Sequence, residues 1–142
     1  MQSLGVQPSI SCWTIPFLRT ADALIDCGVL AVPATLQIVL CDGGILGGHP
    51  NTPQGMLSMY ENMPLDKKIE WFVCSKEGNL MSTAAMAIQL GGHLSPGLGD
   101  YGYPELGSPD NGQLANAFAT LSRQMGREVA TPQETRAMIM AN

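Results

Sequence analysis

The chain has 142 residues, 45% hydrophobic and 13% charged, which is about one domain at roughly 150 residues each and excludes extended disorder. Seven Lys and Arg against twelve Asp and Glu leave a net charge of -5 with no basic run, which excludes a phosphate-tracking nucleic-acid surface. Mean hydropathy is +0.09, yet the longest apolar stretches, such as Gly28 to Pro33 and Ile38 to Cys41, fall far below the roughly 18 residues of a membrane span.

At the start, MQSLGVQPSISCW has no positive segment leading into an apolar core and a small-residue cleavage site, so the cytoplasm is the expected location. The first strand-like run is Ser9 to Ile15. It is followed by a helical pattern over Phe17 to Cys27 with Leu18, Ala21 and Ile25 on one stripe and Gly28 as a left-handed stop. The second run is Leu36 to Leu40. The loop DGGILGGHP, Asp42 to Pro50, then leads to a helix capped by Thr52 with Pro53 in its first turn and Met56, Leu57 and Tyr60 on one face.

The third run, Ile69 to Ser75, precedes a helix over Leu80 to Leu90 with Met81, Ala84, Ala85 and Ile88 inward and Gly91 after it. The fourth run, His93 to Leu98, leads through a glycine-rich loop to a helix capped by Asp110. Gln113 completes a capping box there, and Leu114, Ala117, Phe118 and Leu121 face the core before Gly126. A last short helix starts at Thr131, with Pro132 and Glu134 as its start signals.

Strand starts at 9, 36, 69 and 93 are spaced by 27, 33 and 24 residues, close to the roughly 31 per unit of an eight-unit α/β barrel. Four units make half of one. A doubly wound open sheet has the same alternation, although neither glycine-rich nucleotide fingerprint occurs. In both architectures chemistry belongs at the carboxyl ends of the strands. That selects Thr14, Cys41 with Asp42, Ser75 to Asn79, and Gly99 to Tyr103, among which Asp100 is the candidate acid or base.

His93 at the amino end of its run is expected to be structural, and His49, without a second ligand at metal spacing, to be solvated. The cysteines Cys12, Cys27, Cys41 and Cys74 form no C-x-x-C and are expected to be buried apolar residues. A three-thiolate metal site from Cys12, Cys41 and Cys74 is the rarer alternative. No G-x-S-x-G elbow surrounds any serine.

The run GGHLSPGLGD at Gly91 to Asp100, then GREVATPQETRAMI at Gly126 to Ile139, resembles the carboxyl-terminal half of the β-keto acid cleavage enzymes. LGVQPSIS, ALIDCGVLAVP and WFVCS stand in the order of that family. The resemblance implies a (β/α)8 TIM barrel, with residues 1–142 forming its carboxyl-terminal half. It implies a zinc ion, and an acyl-transferring, carbon-carbon cleaving reaction in which a β-keto acid and acetyl-CoA give acetoacetate and a new CoA thioester.

Carried over position by position, the family's catalytic aspartate falls on Asp100, which matches, while its zinc glutamate falls on Gly99 and an arginine falls on Ser95. The acids of an earlier strand fall on Ser9 and Ser11, and the histidine pair belongs to the first half of the family's barrel. Zinc is therefore implied without its ligands being present in this chain. Ser75, Asn79 and Ser95 are the expected substrate contacts. The expected partners are the small molecules, a second half barrel or further copies of this chain, with neither nucleic acid nor membrane. The rival expectation is an inactive fragment or a self-associating interaction module.

Overall fold

The computed structural model describes Leu4 and residues 6–140. Part of the opening segment read for a leader, Met1 to Ser3 and Gly5, lies outside the described residues. Five strands form one parallel sheet: β1 (Ser9–Cys12), β2 (Ala34–Cys41), β3 (His49–Pro50), β4 (Ile69–Lys76) and β5 (His93–Leu94). Five helices accompany them: α1 (Ile15–Asp26), α2 (Pro53–Tyr60), α3 (Met81–Gln89), α4 (Asn111–Gln124) and α5 (Pro132–Ile139).

The sheet runs β1-β2-β4-β5 in sequence order, so each crossover moves to the next strand in one direction. Right-handed crossovers in one direction put their helices on one face. The core confirms this sidedness. Cys12, Leu36, Ile38, Leu40, Trp71 and Val73 join helix residues such as Leu18, Met56, Met59, Ala84 and Phe118 in one cluster. The opposite face holds a separate cluster of Val39, Cys41 and Cys74, bordered by Trp13 and Ile45, with no helix residue in it. Among the described residues the chain is mixed α/β, a parallel sheet with α1 to α4 packed on one face.

Strand and helix limits differ from the sequence expectations for local reasons. α1 begins at Ile15 rather than Phe17, because Pro16 suits a first turn and Thr14 is extended at φ -144°. β5 stops at Leu94 instead of continuing to Leu98. One more ladder bond, Ser95 N to Val73 O at 2.9 Å, is made before the turn closed by Asp100 N and Tyr101 N on Gly97 O leads the chain away from β4. The glycine-rich loop contains β3, which pairs with Leu40 and Cys41 of β2. Because β4 covers the other edge of β2 along Ala34 to Cys41, β3 prolongs the β1 side.

Helix faces are also rotated. In α2, Met56 and Met59 are buried while Leu57 is exposed. In α3, Thr83 and Ala87 join Ala84 and Ile88 in the core, and Ala85 is exposed. Cys27 is exposed too, since it follows α1 at the surface. The capping boxes of Asp110 with Gln113 and Thr131 with Glu134 are present. Gly92 lets the chain turn against Trp71, whose ring lies 2.3 Å from where a Cβ would stand. Among the described residues no helix is long and apolar enough to cross a membrane.

Candidate active site

The carboxyl ends of β2, β4 and β5 are laced together by main-chain bonds. Asp42 N donates to Lys76 O at 2.9 Å, and Glu77 N donates to Asp100 O at 2.9 Å. Glu77 takes a left-handed backbone, φ 57°, to make that turn. Pairing of Cys41 with Lys76 sets the ends of β2 and β4 level. The lysine side chain then crosses to the third loop: Lys76 Nζ lies 3.1 Å from Asp100 Oδ1 and 3.1 Å from the Gly99 carbonyl oxygen. Both side chains are about one-third exposed, at 37% and 35%, so solvent and solutes reach the pair.

A second polar layer lies beneath. Asn51 is buried, donating from Nδ2 to Asn79 O at 2.9 Å and to Asp42 Oδ2 at 3.3 Å, and accepting from Thr83 Oγ1 at 3.0 Å. Asn79 Oδ1 accepts from Met81 N at 2.9 Å and so caps α3. Gly78 allows this closeness, since a Cβ there would lie 2.3 Å from Asp42 Oδ2 and 2.6 Å from Ser75 Oγ.

Ser75 corrects an expectation. Opposite Leu40, it faces the helix layer, is 2% exposed, and its hydroxyl has no hydrogen-bond partner. Asn79 is half-buried at the loop and Ser95 lies on the sheet face opposite the main core, accepting from Gln37 Nε2 at 3.2 Å. Gln37, Ser95, Thr35, Ser9 and Phe72 line a cavity of about 350 Å³ on that face, with Ile139 at the end of α5 on its other side.

The histidines stand apart from the lysine-aspartate pair, whereas Cys74 precedes Lys76 by two residues on the same strand face. His93 Nε2 lies 2.9 Å from Glu70 Oε2, and its ring lies against Phe72 with centroids 4.8 Å apart. His49 is half-buried in β3 rather than fully solvated. Cys12 faces the helices while Cys41 and Cys74 face the other way, so three thiols do not converge. Burial pushes the Cys12 thiol up to about 11. Burial, then the Asp100 and Cys41 charges, pushes Cys74 up to about 12. Among the described residues no three His, Cys, Asp or Glu side chains gather to hold a metal.

Residues 1–140 match the family described as beta-keto acid cleavage enzyme. The chain belongs to that family. It is 32% identical over 138 residues to a 3-keto-5-aminohexanoate cleavage enzyme of Acetoanaerobium sticklandii, covering 95% of this chain and 48% of the relative. It is 33% identical over 137 residues to an enzyme of the same name from Fusobacterium nucleatum, with the same two coverages. The chain thus spans about half the length of the curated relatives it matches.

Sequence reasoning singled out Asp100 but not the particular contributions of Lys76, Asn51 and Gln37. Lys76 is the first charged residue after the apolar end of its strand, a position that points at the loops. Gln37 is the polar interruption of LQIVL, on the opposite parity to Leu36, Ile38 and Leu40. Asn51 reads as one more loop residue. Only its tertiary burial distinguishes it.

Proposed function

We propose that the chain forms the carboxyl-terminal half of a (β/α)8 barrel that acts on a β-keto acid at the carboxyl ends of its strands. In this reading the acid and acetyl-CoA give acetoacetate and a CoA thioester. The observation that carries it is Asp100, at the matching family position, standing accessible beside Lys76 where three loops are tied together. Lys76 engages Oδ1, leaving Oδ2 as the oxygen that takes and returns the proton during bond cleavage. Asn79 at the loop and Ser95 in the cavity beside Gln37 are the groups this reading places along the substrate.

Zinc does not fit the residues of this chain. Gly99 has no side-chain ligand, and nothing lies within 4 Å of where its Cβ would be. No acceptor cluster of the kind zinc requires forms among the described residues. The proton-transfer role of Asp100 is accordingly derived without a metal.

The half-barrel reading also accounts for the sheet edges. Among the described residues β1 and β5 each pair on one side only, and a second half barrel would pair both free edges. The same free edges favour a second reading, a self-associating interaction module without turnover. The chain combined with the amino-terminal half of the Acetoanaerobium relative is expected to form acetoacetate from a β-keto acid and acetyl-CoA. Asp100→Asn is expected to lower that rate about 100-fold or more. Full turnover by Asp100→Asn overturns the assignment, and a folded, inactive dimer of this chain supports the module.

A further inference from the structure

Four acids, Asp42, Glu77, Asp100 and Glu105, belong to the loops at the carboxyl ends of the strands. Lys76 is the sole Lys or Arg between Lys68 and Arg123, and none occurs between Arg19 and Lys67. The positive charge among these loops therefore comes from one ammonium. That ammonium donates to Asp100 Oδ1 and to the carbonyl oxygen of Gly99. Gly99 is the residue at which the family resemblance would require a metal-binding carboxylate.

We infer that the Lys76 ammonium is the resident cation of this site and binds the ligand's oxygen there in place of a divalent metal. An ammonium has three donors. Two are taken by Asp100 and Gly99, leaving one for a carbonyl or carboxylate oxygen of the incoming anion. Its side chain is 37% exposed, so the ligand reaches it without rearrangement of the core. Cys41 and Cys74 pack together in the apolar cluster nearby, and among the described residues they complete no group of three metal ligands. For its ligand the inference rests on the β-keto acid reading above.

Two measurements on the full chain separate the inference from that reading. Titration with Zn²⁺ by calorimetry, and with Co²⁺ by visible absorption, is expected to show no saturable binding. Acetoacetate binding, followed by calorimetry, is expected to be unchanged by chelator. It should weaken about tenfold in Lys76→Met and in Lys76→Gln, while Lys76→Arg stays within a few-fold. Circular dichroism of each variant establishes that it is folded.

Saturable metal binding by the wild-type chain that disappears in Asp100→Asn overturns the inference. So does acetoacetate binding in folded Lys76→Met that equals the wild type. If the wild-type chain binds no acetoacetate, the β-keto acid reading and the ligand contact of Lys76 fall together. The metal titration then still decides whether the site is metal-free.

Discussion

Thr83 Oγ1 donates to Asn51 Oδ1 at 3.0 Å, joining the first turn of α3 to the residue before the Thr52 cap of α2. Through its amide nitrogen Asn51 then reaches Asn79 O and Asp42 Oδ2. Asn51→Ala removes the partner of three groups in a buried setting. A loss of about 2 kcal/mol in unfolding free energy is expected, since orphaned buried polar groups cost about 1–3 kcal/mol. Urea unfolding of the variant and the wild type measures it, and an unchanged midpoint contradicts the network's role.

The cysteines differ in chemistry as well as in place. Cys27 is exposed, whereas Cys12, Cys41 and Cys74 are buried. Thiolate forms only as pH rises through the pKa, so a thiol held near 11 or 12 remains almost wholly protonated at neutral pH. Iodoacetamide at mildly alkaline pH is expected to modify Cys27 and spare the other three until denaturant is added. Peptide mass spectrometry reads this directly. Rapid labelling of Cys74 in the folded chain would contradict its burial.

The cap of α5 carries an acid dependence. The main-chain N–H of Thr131, and then its hydroxyl, donate to Glu134 and hold that carboxyl below its ordinary value. A lowered folded pKa gives stabilisation that is complete above the unfolded value and is lost as pH falls through the folded one. Amide exchange over Pro132–Ile139, corrected for its intrinsic pH dependence, is therefore expected to speed up below the usual carboxylate range. Glu134→Gln is expected to reduce that dependence. Acid-insensitive protection in the wild type contradicts it.

Much of the architecture was legible because it rests on local chemistry. Thr52-Pro53, Asp110 with Gln113, and Thr131 with Glu134 each state a helix start within four residues, and all three stand in the structure. Apolar runs marked β2 and β4 to within two residues of their limits. The inward faces of α2 and α3 were harder, because Leu57 and Ala85 are as apolar as their buried neighbours and only packing decides between them.

At the site, Asp100 was legible from its glycine-flanked position and from the family motif around it. The orientation of Ser75 was not. A one-residue change of parity moves a strand side chain from one face to the other, and the end of a short apolar run does not reveal which face it takes. The Lys76 contacts required knowing that the β4 and β5 loops meet, which is a property of the sheet order.

Alternation along β2 and β4 gives the chain two separable sets of strand residues. Leu36, Ile38, Leu40, Trp71 and Val73 anchor the helices, while Gln37, Val39, Cys41, Phe72, Cys74 and Lys76 occupy the other parity. Exchanges in the second set leave the helix-packed layer in place. Reactivity and foldability can therefore diverge independently in descendants of this sequence, one drifting while the other is preserved.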